Sequence, residues 1–228
     1  MAGPFLSVVI PAFNEERRIG STLKTVTDYL DMQSYTWEVL VVDDGSSDDT
    51  AQIASRWARE DERVSVEAMP HAGKGWAVKR GMLAVGGQYR FMCDADLAMP
   101  IHQLGTFLAH MEEGYEIVIG SRQIAGARRF DEPVGRHIMG RLFNRCVRLM
   151  AVSGFQDTQC GFKCFRGEAA AHLFRLQRSK GFGFDVEILY MAVKKGMRVL
   201  EIPIDWYHQK SSKVRPYADP YFMLRDTL

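Results

Sequence analysis

The sequence predicts an α/β fold, a mostly parallel sheet flanked by helices in a single domain spanning 1–228, and three observations carry that expectation. Short apolar runs alternate with amphipathic segments through the first half of the chain, which is the pattern of strands joined by crossover helices. The run Val39-Leu40-Val41-Val42 is apolar without alternation, as a strand covered on both faces of a parallel sheet must be. At 228 residues, 46% hydrophobic and 25% charged, the chain has the length of one domain and ordinary globular usage.

Phe5 to Ile10 reads as the first strand. Ile19, Leu23, Val26 and Leu30 then recur at spacings of four, three and four, one face of a helix. Val39 to Val42 is the second strand and ends in Asp43-Asp44-Gly45-Ser46-Ser47. A second helix starts near Asp49, capped by Ser47 or Asp48. Val64 to Ala68 is a strand, Gly75 to Val85 a helix, and Tyr89 to Cys93 a strand terminating in Asp94-Ala95-Asp96. A helix over Ile101 to Met111 and a strand over Glu116 to Gly120 follow. Beyond Ser121 the alternation weakens, with a helix from Ile138 to Ala151, a strand within Asp157 to Phe165, a helix from Asp185 to Lys195 and a last strand over Val199 to Pro203. No linker separates the halves, and no repeat or low-complexity tract interrupts them.

Composition excludes several classes. Lys and Arg number 29 against 28 Asp and Glu, for a net charge of +1, so bulk positive charge cannot hold nucleic acid. Cys93, Cys146, Cys160 and Cys164 are too few for a disulfide scaffold and read as free thiols. Cys160 and Cys164 lack the second Cys/His pair that a tetrahedral zinc site needs. MAGPFLSVVIPAF has no basic segment ahead of its apolar run, so no secretory signal is expected. No uncharged apolar stretch approaches the roughly 18 residues of a membrane span. A cytoplasmic protein, or one peripheral at the cytosolic face of a membrane, is expected. Gly73-Lys74-Gly75 is not a phosphate-binding Walker loop, because Ala68 stands in place of its first glycine and Gly75 in place of Ser or Thr. No G-x-G-x-x-G turn follows the first strand either, which argues against a dinucleotide dehydrogenase.

In an open α/β sheet, ligands bind outside the carboxyl ends of the strands. Here those ends are Pro11-Ala12-Phe13-Asn14-Glu15, Asp43-Asp44-Gly45-Ser46, Asp94-Ala95-Asp96 and Gly120-Ser121-Arg122. Acidic strand ends repel one another without a cation, and a D-x-D pair suits Mg2+ or Mn2+, which take one or two carboxylates and fill the shell with phosphate and water. A solvated turn or helix cap is the alternative reading of that tripeptide.

Together with Asp157-Thr158-Gln159-Cys160-Gly161-Phe162-Lys163 and Phe184-Asp185-Val186-Glu187, these segments and Gly73-Lys74-Gly75 resemble the family 2 glycosyltransferases of the GT-A fold, and within them the polyprenyl- or dolichyl-phosphate sugar synthases. The resemblance implies a nucleotide-sugar half (1–121) and an acceptor half (122–228). It implies that Pro11, Ala12, Phe13, Asn14, Glu15, Asp43, Asp44 and Lys74 line the donor site and that Asp94 and Asp96, with Ala95 between them, hold the divalent ion against a diphosphate. It places Asp96, Asp157 and Arg122 at the catalytic centre. The reaction it implies inverts the anomeric carbon as a lipid phosphate oxygen displaces the nucleoside diphosphate. Ala98 stands where mannose synthases of this family carry Gln, and the two later segments look more like dolichyl-phosphate glucose synthases, so UDP-glucose is expected over GDP-mannose. A family member with a soluble acceptor is a further alternative, and a nucleotidyltransferase would need a glycine- and basic-rich loop after the first strand. The Gln-x-x-Arg-Trp segment of processive polysaccharide synthases is absent.

Charge locates the acceptor side. Arg122, Arg128, Arg129, Arg136, Arg141, Arg145 and Arg148 face only Asp131 and Glu132, a local balance of +5 against −4 for the rest of the chain. Arg141, Arg145 and Arg148 share one helix face opposite Leu142, Cys146 and Leu149, which suits either a solvated face or attraction to an anionic membrane. By the resemblance, Arg122, Arg136, Lys213 and Arg215 bind the lipid phosphate, which guanidinium forks fit bidentately. Asp157 is the expected carboxylate of the catalytic neighbourhood. Asp185 and Glu187, roughly 200° apart on a helix, cannot both face one site. The six histidines read as surface or packing residues, and Tyr221 to Leu228 as a membrane-facing or packing segment.

Overall fold

Alternating apolar and amphipathic segments assemble, in the computed structural model, into one sheet with helices on both faces; residues 3–131 and 154–208 are described. In chain order the elements are β1 (Leu6–Ala12), α1 (Ile19–Asp31), β2 (Trp37–Asp43), α2 (Thr50–Glu60), β3 (Val64–Ala68), α3 (Lys74–Ala84) and β4 (Tyr89–Met92). A 3-10 turn at Ile101–Gln103 then leads into α4 (Leu104–Glu112), followed by β5 (Ile117–Ser121) and β6 (Arg128–Phe130). The described remainder contributes β7 (Lys163–Arg166), α5 (Gly167–Leu176), α6 (Phe184–Lys194), β8 (Val199–Pro203) and β9 (Asp205–Tyr207).

The main sheet has seven strands in the order β3-β2-β1-β4-β7-β5-β8. All pairings are parallel except those of β7, which runs antiparallel to both β4 and β5. β6 and β9 form a separate parallel pair. Val8-Val9-Ile10-Pro11-Ala12 of β1 and Val39-Leu40-Val41-Val42 of β2 are unbroken apolar runs because both faces are covered. Val8, Ile10, Val39 and Val41 pack with Ile19, Leu23, Val26 and Leu30 of α1. Val9, Leu40 and Val42 point to the other layer, against Ala77, Val78 and Met82 of α3 and, further along the sheet, Leu173 and Phe174 of α5 and Leu189 of α6. The period of two sends alternate side chains to opposite layers.

Expected and observed elements agree closely through β5. The N-cap position of α2 is Asp49, one residue later than expected, with no side-chain cap bond of its own; Asp48 Oδ1 accepts the Thr50 amide at 3.0 Å. Three features depart from the sequence reading. The strand expected within Asp157 to Phe165 is confined to β7, with Asp157 to Phe162 an ordered loop before it. Helix α5 and the β6–β9 pair were not expected; β6 and β9 are only three residues each, too short for a periodic signal. The expected helix 138–151 and the segment 221–228 lie outside the described residues.

Candidate active site

The carboxyl ends of β1, β2, β4 and β5 open on one edge of the sheet, as parallel pairing requires. Because β7 is antiparallel, its first residue, Lys163, is level with Met92 on one side and Ile119 on the other. The loop before β7 therefore lies just beyond the ends of β4 and β5, between Asp94-Ala95-Asp96 and Arg122. With one strand between them, β4 and β5 stand roughly 10 Å apart.

The β1 and β2 ends are tied together by their own polar groups. Pro11 and Ala12 are buried in the last rungs of β1, and the Ala12 carbonyl accepts the Asp44 amide at 2.8 Å. Asn14 adopts φ 51°, a left-handed conformation that Asn tolerates. Its amide donates to Ser46 Oγ at 2.8 Å and its Oδ1 accepts the Ser47 amide at 2.8 Å. The Glu15 amide donates to Thr50 Oγ1 at 2.6 Å, and its carboxylate accepts Arg18 Nε at 2.7 Å. Asp43 accepts the hydroxyl and the amide of Ser46. Asp44 accepts the amides of Ala72 at 2.8 Å and Gly73 at 2.9 Å, and pairs with His71 at 2.8 Å. Both carboxylates are buried and fix the turn after β2 and the loop before α3. Gly73, at φ 113°, lets the chain turn into α3 while meeting Asp44. His71 stacks on Phe13 with centroids 4.3 Å apart. That half-open aromatic pair was missed in sequence, where His71 had no neighbouring ligand to single it out.

The D-x-D turn is held from both sides. Thr22 Oγ1 of α1 donates to the Ala95 carbonyl at 2.6 Å, and the Ala98 amide donates to Asp96 Oδ1 at 3.1 Å. Lys74, the first residue of α3, places Nζ 2.7 Å from Asp94 Oδ1. Burial depresses the Lys74 ammonium, but the Asp94 and Asp185 carboxylates outweigh it and hold its pKa above the ordinary value. Burial and the neighbouring Asp94 charge push the Asp96 carboxyl up. Two hard oxygen donors held together at such a penalty fit a divalent cation of the Mg2+ or Mn2+ kind. Among the described residues no group of three or more His, Cys, Asp or Glu gathers to complete an all-protein cage.

Across the crevice, Asp157 is fully buried and accepts three bonds from Arg122: the amide at 3.0 Å, Nε at 2.6 Å and Nη2 at 2.8 Å. Burial alone would raise its pKa, yet the Arg122 guanidinium wins and holds it below the usual carboxylate range. Asp157 thus braces the Arg122 side chain from inside the fold. The Arg122 side chain is 23% exposed and lies 5.5 Å over the Trp206 ring. Below the site, Lys163 is buried with Nζ 2.5 Å from Asp185 Oδ1. Burial raises the Asp185 carboxyl, with Lys163 and Lys74 opposing. Glu187 turns elsewhere and accepts the amides of Arg178 and Ser179 at 2.8 Å, so the two acids do diverge. Lys163, an apparent strand residue, carried no sequence sign of an internal cation. Cys93, Cys160 and Cys164 are buried free thiols, and burial pushes Cys160 up to about 12. Arg136, Lys213, Arg215 and Cys146 lie outside the described residues. Among the described residues, no helix is long and apolar enough to cross a membrane.

Comparison with known proteins places this geometry. The chain is 34% identical over 223 residues to the dolichyl-phosphate beta-glucosyltransferase ALG5C of Trichomonas vaginalis, covering 92% of this chain and 66% of that protein. It is 31% identical over 242 residues to the Saccharomyces cerevisiae dolichyl-phosphate beta-glucosyltransferase, covering 97% and 72%. The chain thus spans about two thirds to three quarters of these relatives. The crystal structure of Mycobacterium tuberculosis glucosyl-3-phosphoglycerate synthase with UDP superposes with a TM-score of 0.68 at 22% identity, covering 98% of this chain and 77% of that one; this likeness carries the GT-A fold. With the family profile matching residues 7–174 over the strand ends just described, the chain belongs to glycosyl transferase family 2.

Proposed function

We infer that the protein transfers glucose from UDP-glucose to a polyprenyl (dolichyl) phosphate with inversion at the anomeric carbon, working peripherally at the cytosolic face of a membrane. The observation that carries this reading is a carboxylate pair just beyond β4 and a braced guanidinium just beyond β5, at the same end of one sheet. Relatives named for the same transfer support it. A neighbour of the same fold crystallised with Mn2+ and UDP-glucose suits the donor.

Asp94 and Asp96 would hold Mg2+ or Mn2+ together with the donor diphosphate. Held there, such an ion would supply charge compensation for a departing diphosphate. Phe13 and His71 offer a stacking face near the β1 and β2 ends, and Lys74 adds a cation beside Asp94. Arg122, fixed by Asp157, holds an anionic acceptor oxygen in place without a conformational search. A phosphate monoester has a second pKa of about 6 and is mostly dianionic at neutral pH, so the attack needs no general base. Arg136, Lys213 and Arg215 would complete the phosphate site.

The test offers labelled UDP-glucose and GDP-mannose in parallel, with a polyprenyl phosphate and Mn2+ or Mg2+. Label entering the organic phase from UDP-glucose, lost on chelation, is the expected result. Label from GDP-mannose alone would overturn the sugar assignment. No lipid-phase label with nucleotide binding intact would point to a soluble acceptor.

A further inference from the structure

We propose that the segment Asp157–Lys163 is a brace that sets the Asp94 carboxylate and the Arg122 guanidinium in one frame, with Gly161 as the positioning residue for Asp94. The proposal rests on the reading that Asp94 holds the cation. Contacts at both ends and in the middle define the brace. Asp157 grips Arg122 through three hydrogen bonds, and Glu201 of β8 holds that end by accepting the Asp157 amide at 2.7 Å. Lys163 anchors the other end, donating from Nζ to the Cys160 carbonyl and to Asp185, each at 2.5 Å. The Phe162 carbonyl accepts the Gly120 amide at 2.9 Å, which pins the middle to β5.

Gly161 supplies the contact with Asp94 by what it lacks. A Cβ there would lie 1.8 Å from Asp94 Oδ2, 2.3 Å from its Cγ and 2.8 Å from Oδ1, and these are the three nearest atoms. Its φ lies outside the left-handed region, so glycine serves close approach and not backbone freedom. The Asp94 carboxylate is wedged between the Gly161 backbone and Lys74. The donor carboxylate and the acceptor guanidinium therefore touch the same seven residues. Movement at either end of the segment must be felt at the other.

The test is a stability cycle on the full chain with Gly161→Ala, Asp94→Ala and the double variant, followed by urea, together with Mn2+ binding in the presence of UDP by electron paramagnetic resonance. Gly161→Ala should lower the urea midpoint when Asp94 is present and cost little on Asp94→Ala, where the colliding atoms are gone. It should also weaken Mn2+ binding by about tenfold or more, the effect of misplacing a metal ligand through its supporting residues. Equal losses in both backgrounds overturn the proposal. So does unchanged Mn2+ affinity in Gly161→Ala while Asp94→Ala loses it. If Gly161→Ala fails to fold, a folded double variant upholds the brace, and an unfolded one beside a folded Asp94→Ala refutes it. Unchanged Mn2+ affinity in Asp94→Ala overturns the cation reading alone, and the stability cycle still decides the brace.

Discussion

Replacing Asp157 by Asn keeps the size of the side chain and removes its charge, so it isolates what that carboxylate does for Arg122. The native carboxylate accepts the Arg122 amide, Nε and Nη2 within 3.0 Å and is itself fully buried. An amide has one oxygen and turns an NH2 group toward a guanidinium that only donates. At least one charge-assisted bond is lost and a mostly buried cation loses its counter-charge. Breaking one side of a buried pair typically costs about 3–5 kcal/mol, which is the loss expected in urea unfolding at pH 7. The pH dependence carries the same signature. The folded Asp157 carboxyl titrates below its ordinary value, so its contribution is complete above the unfolded pKa of about 3.9 and disappears as pH falls through the lower folded value. The gap between native and Asp157→Asn should hold from pH 7 to about pH 5 and close below about pH 4. Turnover should fall with donor binding nearly intact, because Arg122 stands on the acceptor side of the proposed site. A loss under about 1 kcal/mol, or a gap unchanged down to pH 3, would refute the reasoning.

Asp96→Asn should raise the melting temperature of the metal-free protein, since burial and Asp94 penalise the Asp96 charge at neutral pH, and should abolish further stabilisation by Mn2+; melting with and without Mn2+ checks both, and a lowered metal-free melting temperature would count against it. Lys163→Met strands Asp185 in the interior and should cost about 3–5 kcal/mol, most of it recovered by adding Asp185→Leu, because a buried ion pair replaced whole by apolar groups is often neutral; urea melts of the two variants decide, and an additive double loss would contradict it. Lys74→Met removes the cation 2.7 Å from Asp94 and should weaken UDP binding in calorimetric titration by about tenfold, roughly the 1.4 kcal/mol expected of one charge-assisted contact; unchanged affinity would remove Lys74 from the donor site.

Local pattern alone settled a great deal here. Unalternating apolar runs in β1 and β2 and the four-three-four face of α1 determined a sheet covered on both sides, and polar residues at the ends of those runs marked the candidate site. These are short-range properties, because side-chain period and strand-end chemistry are written in neighbouring residues. Tertiary structure decided how distant pieces meet. That β7 enters antiparallel between β4 and β5 depends on pairing partners dozens of residues away, which no window of the chain contains. The same insertion hides Asp157 beneath Arg122, buries Lys163 against Asp185 and lays Gly161 on Asp94. A carboxylate in sequence is only a charge; its burial and partners made Asp157 a support for Arg122 and left Asp96 a penalised anion, because desolvation and counter-charge exist only once the chain has closed around them.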